Sequence, residues 1–399
     1  MKNHMRAFST FILLMGAYNP ITTYIFNNTG FFGASIHQIS LIISWSIFIL
    51  INNKIAVNCL THRNLLCLFI LLAYSVWSLI NGVNFSSMMN SFADVAYLLE
   101  IWMFYFSSLI ISRTVGAKNF ILILYVVLFI NAVGIVVMYT LLSDYLYFTL
   151  QLGPIRVSRA LDFMILTGAM FLIYCKYYKY KSGMLSYVFL VVIILSNIVG
   201  FSRGVWLALL LVFTFDLTFK CLQTIYLQRL EMRARLVMLS LFTVISVILL
   251  ESYFNILGLF ITRLVDLDYD TASIGGRFEA YYSLFLATFT NFETLLFGQG
   301  AGALMPGLSI PASSSPSFFA TVLYVHGFPV FLLFVLGTVY LLHATFRISF
   351  KNVTFGRFPF YNLMAHVIVL NIFPTVNHFP ILGFSVLISM VLLGARRVI

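Results

Sequence analysis

Charge is what this sequence has least of. Asp, Glu, Lys and Arg make up 9% of its 399 residues, whereas 61% are hydrophobic and the mean hydropathy is +1.01. Soluble globular chains are about 25% charged, so the composition leaves very little chain for a soluble domain and implies an integral membrane protein. Cysteine is scarce as well. Cys59, Cys67, Cys175 and Cys221 all fall near the expected cytoplasmic side, so a disulfide framework is not expected. No small-residue cleavage site follows the apolar segment 8–26, whose flank carries Lys2 and Arg6. That segment therefore reads as a first span and not as a removable signal. Neither an internal repeat nor an inverted relation between the halves is evident, and many transporters would carry one.

What the chain has in abundance is apolar stretches of about 20 residues, the length that a bilayer core demands. They fall at 7–26, 31–51, 64–81, 94–112, 119–142, 159–178, 184–201, 203–221, 235–257, 317–342, 359–375 and 379–395. Numbering the intervening loops alternately inside and outside places all but five of the 23 Lys and Arg on one side. Lys and Arg accumulate on the cytoplasmic side, so that side is the cytoplasm and both termini lie there. The formal net charge of +11 is mostly these loops facing anionic headgroups, and it implies no nucleic-acid partner. The expected fold is an all-α polytopic membrane protein of about 12 transmembrane helices, a single integral membrane domain over 1–399. One long external loop, 258–316, lies between spans nine and ten and contains short helices.

The external side carries no Lys and five Arg: Arg156, Arg159, Arg203, Arg263 and Arg277. They sit where the charge rule disfavours them, and always as Arg. A planar guanidinium fork grips phosphate or carboxylate bidentately, which Lys cannot do. Arg203, in Phe201-Ser202-Arg203-Gly204-Val205-Trp206, stands at the external end of a tight helical hairpin. It faces a cavity or a partner, or simply snorkels to the interface. Arg277 follows Gly275-Gly276 at what looks like the start of a helix, where free backbone N–H groups and the positive dipole end suit an anion. Phe278, Tyr281, Tyr282, Phe285 and Phe289 recur at helical spacing, as on an interfacial or lid helix. Glu279 beside it is either a general base or an ion-pair partner. Arg156 and Arg159 would share one face of a helix start, binding a phosphate or sugar carboxylate, or anchoring the span.

Two further features carry weaker signals. The run Asp266-Leu267-Asp268-Tyr269-Asp270 opens like a calcium loop, but the required Gly is Thr271 and the closing Glu is Arg277. No metal site is assigned there, and a solvated acidic loop is the plainer reading. His326, inside the tenth span, is a candidate substrate-binding residue or a satisfied packing residue.

Taken in order, Ser202-Arg203-Gly204, Gly275-Gly276-Arg277-Phe278-Glu279, Leu296-Phe297-Gly298-Gln299-Gly300-Ala301-Gly302 and Gly327-Phe328-Pro329 resemble the O-antigen polymerase and O-antigen ligase superfamily. The likeness covers roughly residues 200–345; before that only hydropathy agrees. It implies an inner-membrane glycosyltransferase of the lipid-carrier (GT-C-like) type, acting on undecaprenyl-diphosphate-linked glycans at the periplasmic face, with no cofactor. It also implies that Arg277 and Arg203 contact the diphosphate or the sugar near it and that the long loop caps the site; the residues themselves add Glu279 as the first candidate base and Arg156, Arg159, Arg263 and His326 as substrate-binding candidates. The partners implied are the lipid-linked donor and acceptor, membrane lipids, a chain-length regulator and a flippase. At the place where ligases carry a His-Asn-like pair before the Gly-x-Pro segment, this chain has Pro316 and Ser317. That departure favours a Wzy-type polymerase of lipopolysaccharide biosynthesis, with the ligase second. A lipid-linked oligosaccharide flippase fits the span count equally, but the candidate charges cluster externally and not along a midplane path.

Overall fold

The computed structural model describes residues 2–17, 36–82, 88–141, 274–307, 318–351, 358–372 and 378–394, with short stretches at 192, 211–212 and 214–216. Among these residues the chain is almost entirely helical and contains no β-strand. Backbone N–H and C=O groups that leave water must be satisfied internally, and a helix does this within one segment. In chain order the helices are α1 (Lys2–Ala17), α2 (Ile36–Ile51), α3 (Asn53–Cys59), α4 (His62–Gly82), α5 (Met88–Thr114), α6 (Ala117–Leu141), α7 (Ile274–Phe289), α8 (Phe292–Phe297), α9 (Phe318–Lys351), α10 (Phe358–Ile372) and α11 (His378–Gly394).

Two of them are long and apolar enough to cross a membrane, over His62–Asn81 in α4 and Phe318–Arg347 in α9. The pair α2–α3 makes a third candidate, although it bends by 95°. Helices occupy most of the expected spans at 31–51, 64–81, 94–112, 119–142, 317–342, 359–375 and 379–395. The expected spans at 159–178, 184–201, 203–221 and 235–257 lie outside the described residues apart from the short stretches named above.

The core is one apolar cluster shared by α1, α2, α5, α6, α9, α10 and α11, with Leu14, Phe48, Phe104, Ile110, Phe120, Leu363 and Leu387 among its buried members. Its closest seam joins α5 and α11. A Cβ on Gly383 would stand 2.5 Å from the Phe104 ring, so the absence of a side chain there lets the helices approach. Phe104 also meets Phe384 edge-on, with ring centroids 6.4 Å apart. Polar side chains tie neighbouring helices as well: Asn362 Nδ2 donates to Ser385 Oγ at 3.2 Å, and Ser389 Oγ donates to the Pro359 carbonyl at 3.4 Å. The Tyr361 hydroxyl donates to the buried Asp216 carboxylate.

The bend between α2 and α3 is held by polar contacts. Asn52 Nδ2 donates to Ser9 Oγ of α1 (3.1 Å) and to the Phe48 carbonyl (2.9 Å). Nearby, Asn64 Nδ2 donates to the Cys59 carbonyl (2.6 Å), the Tyr105 hydroxyl donates to Asn64 Oδ1 (3.2 Å), and Arg113 reaches the Asn58 carbonyl (3.4 Å). These bonds bring the start of α1, the α2–α3 bend, the start of α4 and the end of α5 together. Arg6, Lys54, Arg63 and Arg113, which belong to those segments, therefore gather at one end of the helix bundle.

Candidate functional site

At the other end of α4, about 20 Å further along its axis at 1.5 Å per residue, three chain segments meet. They are the last turns of α4, the glycine-rich turn after α8, and a break in α9.

The break comes from two residues. Gly327 has φ 80 and ψ 173, outside the helical region, and Pro329 follows it. In a continuous helix the N–H of residue 329 would bond to the Val325 carbonyl, but proline has no N–H. The turn at Gly327 likewise takes the next N–H away from the Tyr324 carbonyl. Two carbonyls inside a candidate span are thereby left for other donors, and in such surroundings each must find one.

The turn after α8 supplies them. Asn291 opens α8 by accepting the Glu293 N–H at 3.0 Å, an N-cap. Gly298, at φ 74, closes it. The next three N–H groups then leave the helix in sequence. Gln299 N donates to the Tyr324 carbonyl (2.8 Å), Gly300 N to the Val325 carbonyl (3.0 Å) and Ala301 N to the Ser78 carbonyl (2.9 Å). Gln299 Nε2 reaches back to Thr294 Oγ1 at 3.0 Å, and the Tyr324 hydroxyl donates to the Leu304 carbonyl at 3.0 Å. Below this turn lies a small apolar cluster of Leu284, Ala303, Met305, Ala320, Tyr324 and Val325.

The approach leaves no room for side chains at two positions. A Cβ on Gly298 would lie 2.3 Å from the Val325 carbonyl oxygen, and a Cβ on Gly327 would lie 2.4 Å from that of Leu296. Both residues also have positive φ, which glycine adopts without steric cost. Two glycines far apart in sequence thus face each other across one backbone contact. Because the N–H groups of 299, 300 and 301 are spent on protein carbonyls, this turn is a structural clasp and not a phosphate cradle.

His326 sits immediately before the break. It is 1% exposed, and its Nδ1 pairs with Ser78 Oγ of α4 at 3.3 Å. The ring therefore joins α4 to α9 from within the packed junction, and a substrate reaches it only if the junction opens.

The other candidate residues divide into two groups. Arg277 and Glu279 stand in the first turns of α7, which begins at Ile274 and so takes Gly275 and Gly276 into its first turn, where the sequence had placed them before the helix. They stand two positions apart on this helix, a spacing that does not place two positions on one face. Arg156, Arg159, Arg203 and Arg263 lie outside the described residues, as does the Asp266–Asp270 run.

Ser78 carried no sequence signal. A serine inside an apolar span looks like any helix-packing serine, and its partner is 248 residues away. Asp216 was equally silent, being one acid among apolar residues near a span end. Glu100, a charge buried near mid-span by its hydropathy context, is buried in α5.

No model of a known protein family matches this chain, and no curated protein is similar enough to be reported as a relative.

Proposed function

We propose that this chain is an integral protein of the bacterial inner membrane and an O-antigen polymerase. It is a glycosyltransferase that joins undecaprenyl-diphosphate-linked oligosaccharide repeat units into polysaccharide at the periplasmic face. The observation that carries the reading is a convergence in space. The segments 296–302 and 327–329, whose order prompted the resemblance, meet in one clasp. That clasp lies at the end of α4 opposite the gathered basic residues. Basic residues mark the cytoplasmic side, which leaves the clasp and α7 on the external one, where the lipid-linked glycan is presented.

On this reading the acceptor is a newly flipped repeat unit and the donor is the growing glycan. An acceptor hydroxyl attacks the anomeric carbon, the bond from that carbon to the diphosphate oxygen breaks, and undecaprenyl diphosphate leaves with the bonding pair. The hydroxyl proton passes to a base, for which Glu279 is the first candidate. Charge builds on the leaving diphosphate, so the main catalytic contribution comes from Arg277 and Arg203. Removing one preorganised charge-stabilising donor costs about 2.7–4 kcal/mol, or roughly a hundredfold to a thousandfold in rate.

The test is complementation of a host lacking its own polymerase, with the lipopolysaccharide ladder read on a gel. The wild-type gene restores the ladder, while Arg277→Ala leaves core plus one repeat. Repeat units stalled on the cytoplasmic face would replace this reading with a flippase. A ligase reading has one observation in its favour, the histidine locked at the break in α9. Complementation of a second host, one lacking its own ligase, would establish it if this gene moves the accumulated long lipid-linked chains onto the lipid core.

A further inference from the structure

Apolar exposure in this molecule does not stop at the ends of the candidate spans. On α7 one stripe, Leu284 and Thr288, is buried toward α9. The opposite face presents Tyr282 (68% exposed), Phe285, Leu286 and Phe289 (61%), and Phe292 (73%) and Phe297 continue it along α8. A surface helix in water carries polar residues on that side. From Tyr281 to Gly307 the only charged residue is Glu293. At about 150–250 Å² per aromatic side chain, these rings expose on the order of 600 Å², the upper end of what soluble monomers leave uncovered in one patch.

The patch is continuous with the outward face of a candidate span. The Phe297 ring packs on Trp77 of α4 with centroids 5.3 Å apart, and Trp77 is exposed together with Val76 and Ile80. Phe328, just past the break in α9, is exposed as well. The Phe285 and Phe289 rings stack on each other at 6.3 Å and stay turned outward.

We infer that the exposed aromatic face of α7 and α8 is immersed in the acyl chains of the outer leaflet, so that α7 is an interfacial membrane helix and not a lid in periplasmic water. The inference rests on the membrane placement proposed above. Such helices bury their apolar face about 5–10 Å into the headgroup boundary. That depth sets the first turn of α7, with Arg277, at the level where the diphosphate of a membrane-anchored substrate must lie.

The experiment places p-benzoylphenylalanine at Tyr282, at Phe289 and, as a reference on the α4 span, at Trp77. Each full-length chain is irradiated in nanodiscs of phosphatidylethanolamine and phosphatidylglycerol, and adducts are read by mass spectrometry. Phospholipid adducts at all three positions are expected. Adducts at Trp77 with none at Tyr282 and Phe289, or with attachment there to a second copy of the chain, would overturn the inference and leave the membrane reading standing. No lipid adduct at any position would overturn both. A smaller change guards against misfolding: Phe289→Cys, followed by peptide mass spectrometry with a water-soluble maleimide. In nanodiscs the thiol should react at least roughly tenfold more slowly than in the detergent-denatured chain, because the reacting thiolate is disfavoured in lipid. Equal rates would overturn the inference.

Discussion

Single residues carry unequal weight in this chain, and the glycines at 298 and 327 carry much of it. Each combines a positive φ with a backbone oxygen where a Cβ would stand. With ψ of 176 and 173 both lie in a region that essentially only glycine populates, at a cost of roughly 1–3 kcal/mol to a residue with a side chain, and the steric overlap adds to that. Gly327→Ala and Gly298→Ala are therefore each expected to destabilise the protein by about 3 kcal/mol, read as earlier loss of the monodisperse peak on heating in detergent. Gly307→Ala has a positive φ but open space around it, so it should cost only the backbone part. At Ser78 the loss is one hydrogen bond, so Ser78→Ala should lower stability by about 1 kcal/mol and leave glycan chain length unchanged if His326 only locks the junction. A collapse to single repeats in a folded Ser78→Ala protein would instead place His326 in the chemistry. For Arg277 the discriminating change is to Lys. A bidentate grip fails with a point charge, so Arg277→Lys should leave the ladder collapsed in a protein that still folds.

Among the elements, α9 shows how a helix is broken deliberately. Gly327 turns the chain, Pro329 then begins the second segment in its first turn, and the displaced carbonyls are bonded by Gln299 and Gly300. Proline in a first helical turn removes a donor that would have no partner in any case. Pro329→Ala is therefore expected to cost less than about 1 kcal/mol, far less than Gly327→Ala, and the contrast in thermal stability checks the account of the break. The α5–α11 seam behaves differently. Gly383→Leu would push against the Phe104 ring, and overpacking of this kind costs about 1–3 kcal/mol without touching the clasp. The order of residues announced the break but not its consequence. Gly-Phe-Pro within an apolar run predicts a kink, whereas nothing in the run says that a turn 25 residues earlier must supply the donors, Gln299 to Tyr324 and Gly300 to Val325.

Across the whole molecule, the separation of basic residues from the clasp along α4 leads to a topology that fusions can check. A fluorescent protein at the C-terminus should glow in the cytoplasm, and alkaline phosphatase fused after Gly307 should be active in the periplasm. An inactive phosphatase there would overturn the external placement of the clasp. Composition and periodicity by themselves determined that the described part of this chain is helical and apolar enough for two or three candidate spans, and roughly where its described helices lie. These are local properties, since hydropathy, helix length and charge are written residue by residue. The presence of a helix around Arg277 was legible for the same reason, although it starts at Ile274 and includes the two glycines expected to precede it. The tertiary structure alone decided that Gly298 meets Gly327, that Ser78 holds His326, that the turn 299–301 spends its donors on protein and offers none to phosphate, and that one face of α7 is buried while its aromatic face stays open. Each of these depends on residues far apart in the chain meeting through backbone atoms, and backbone atoms are the same at every position, so no residue type announces such a contact.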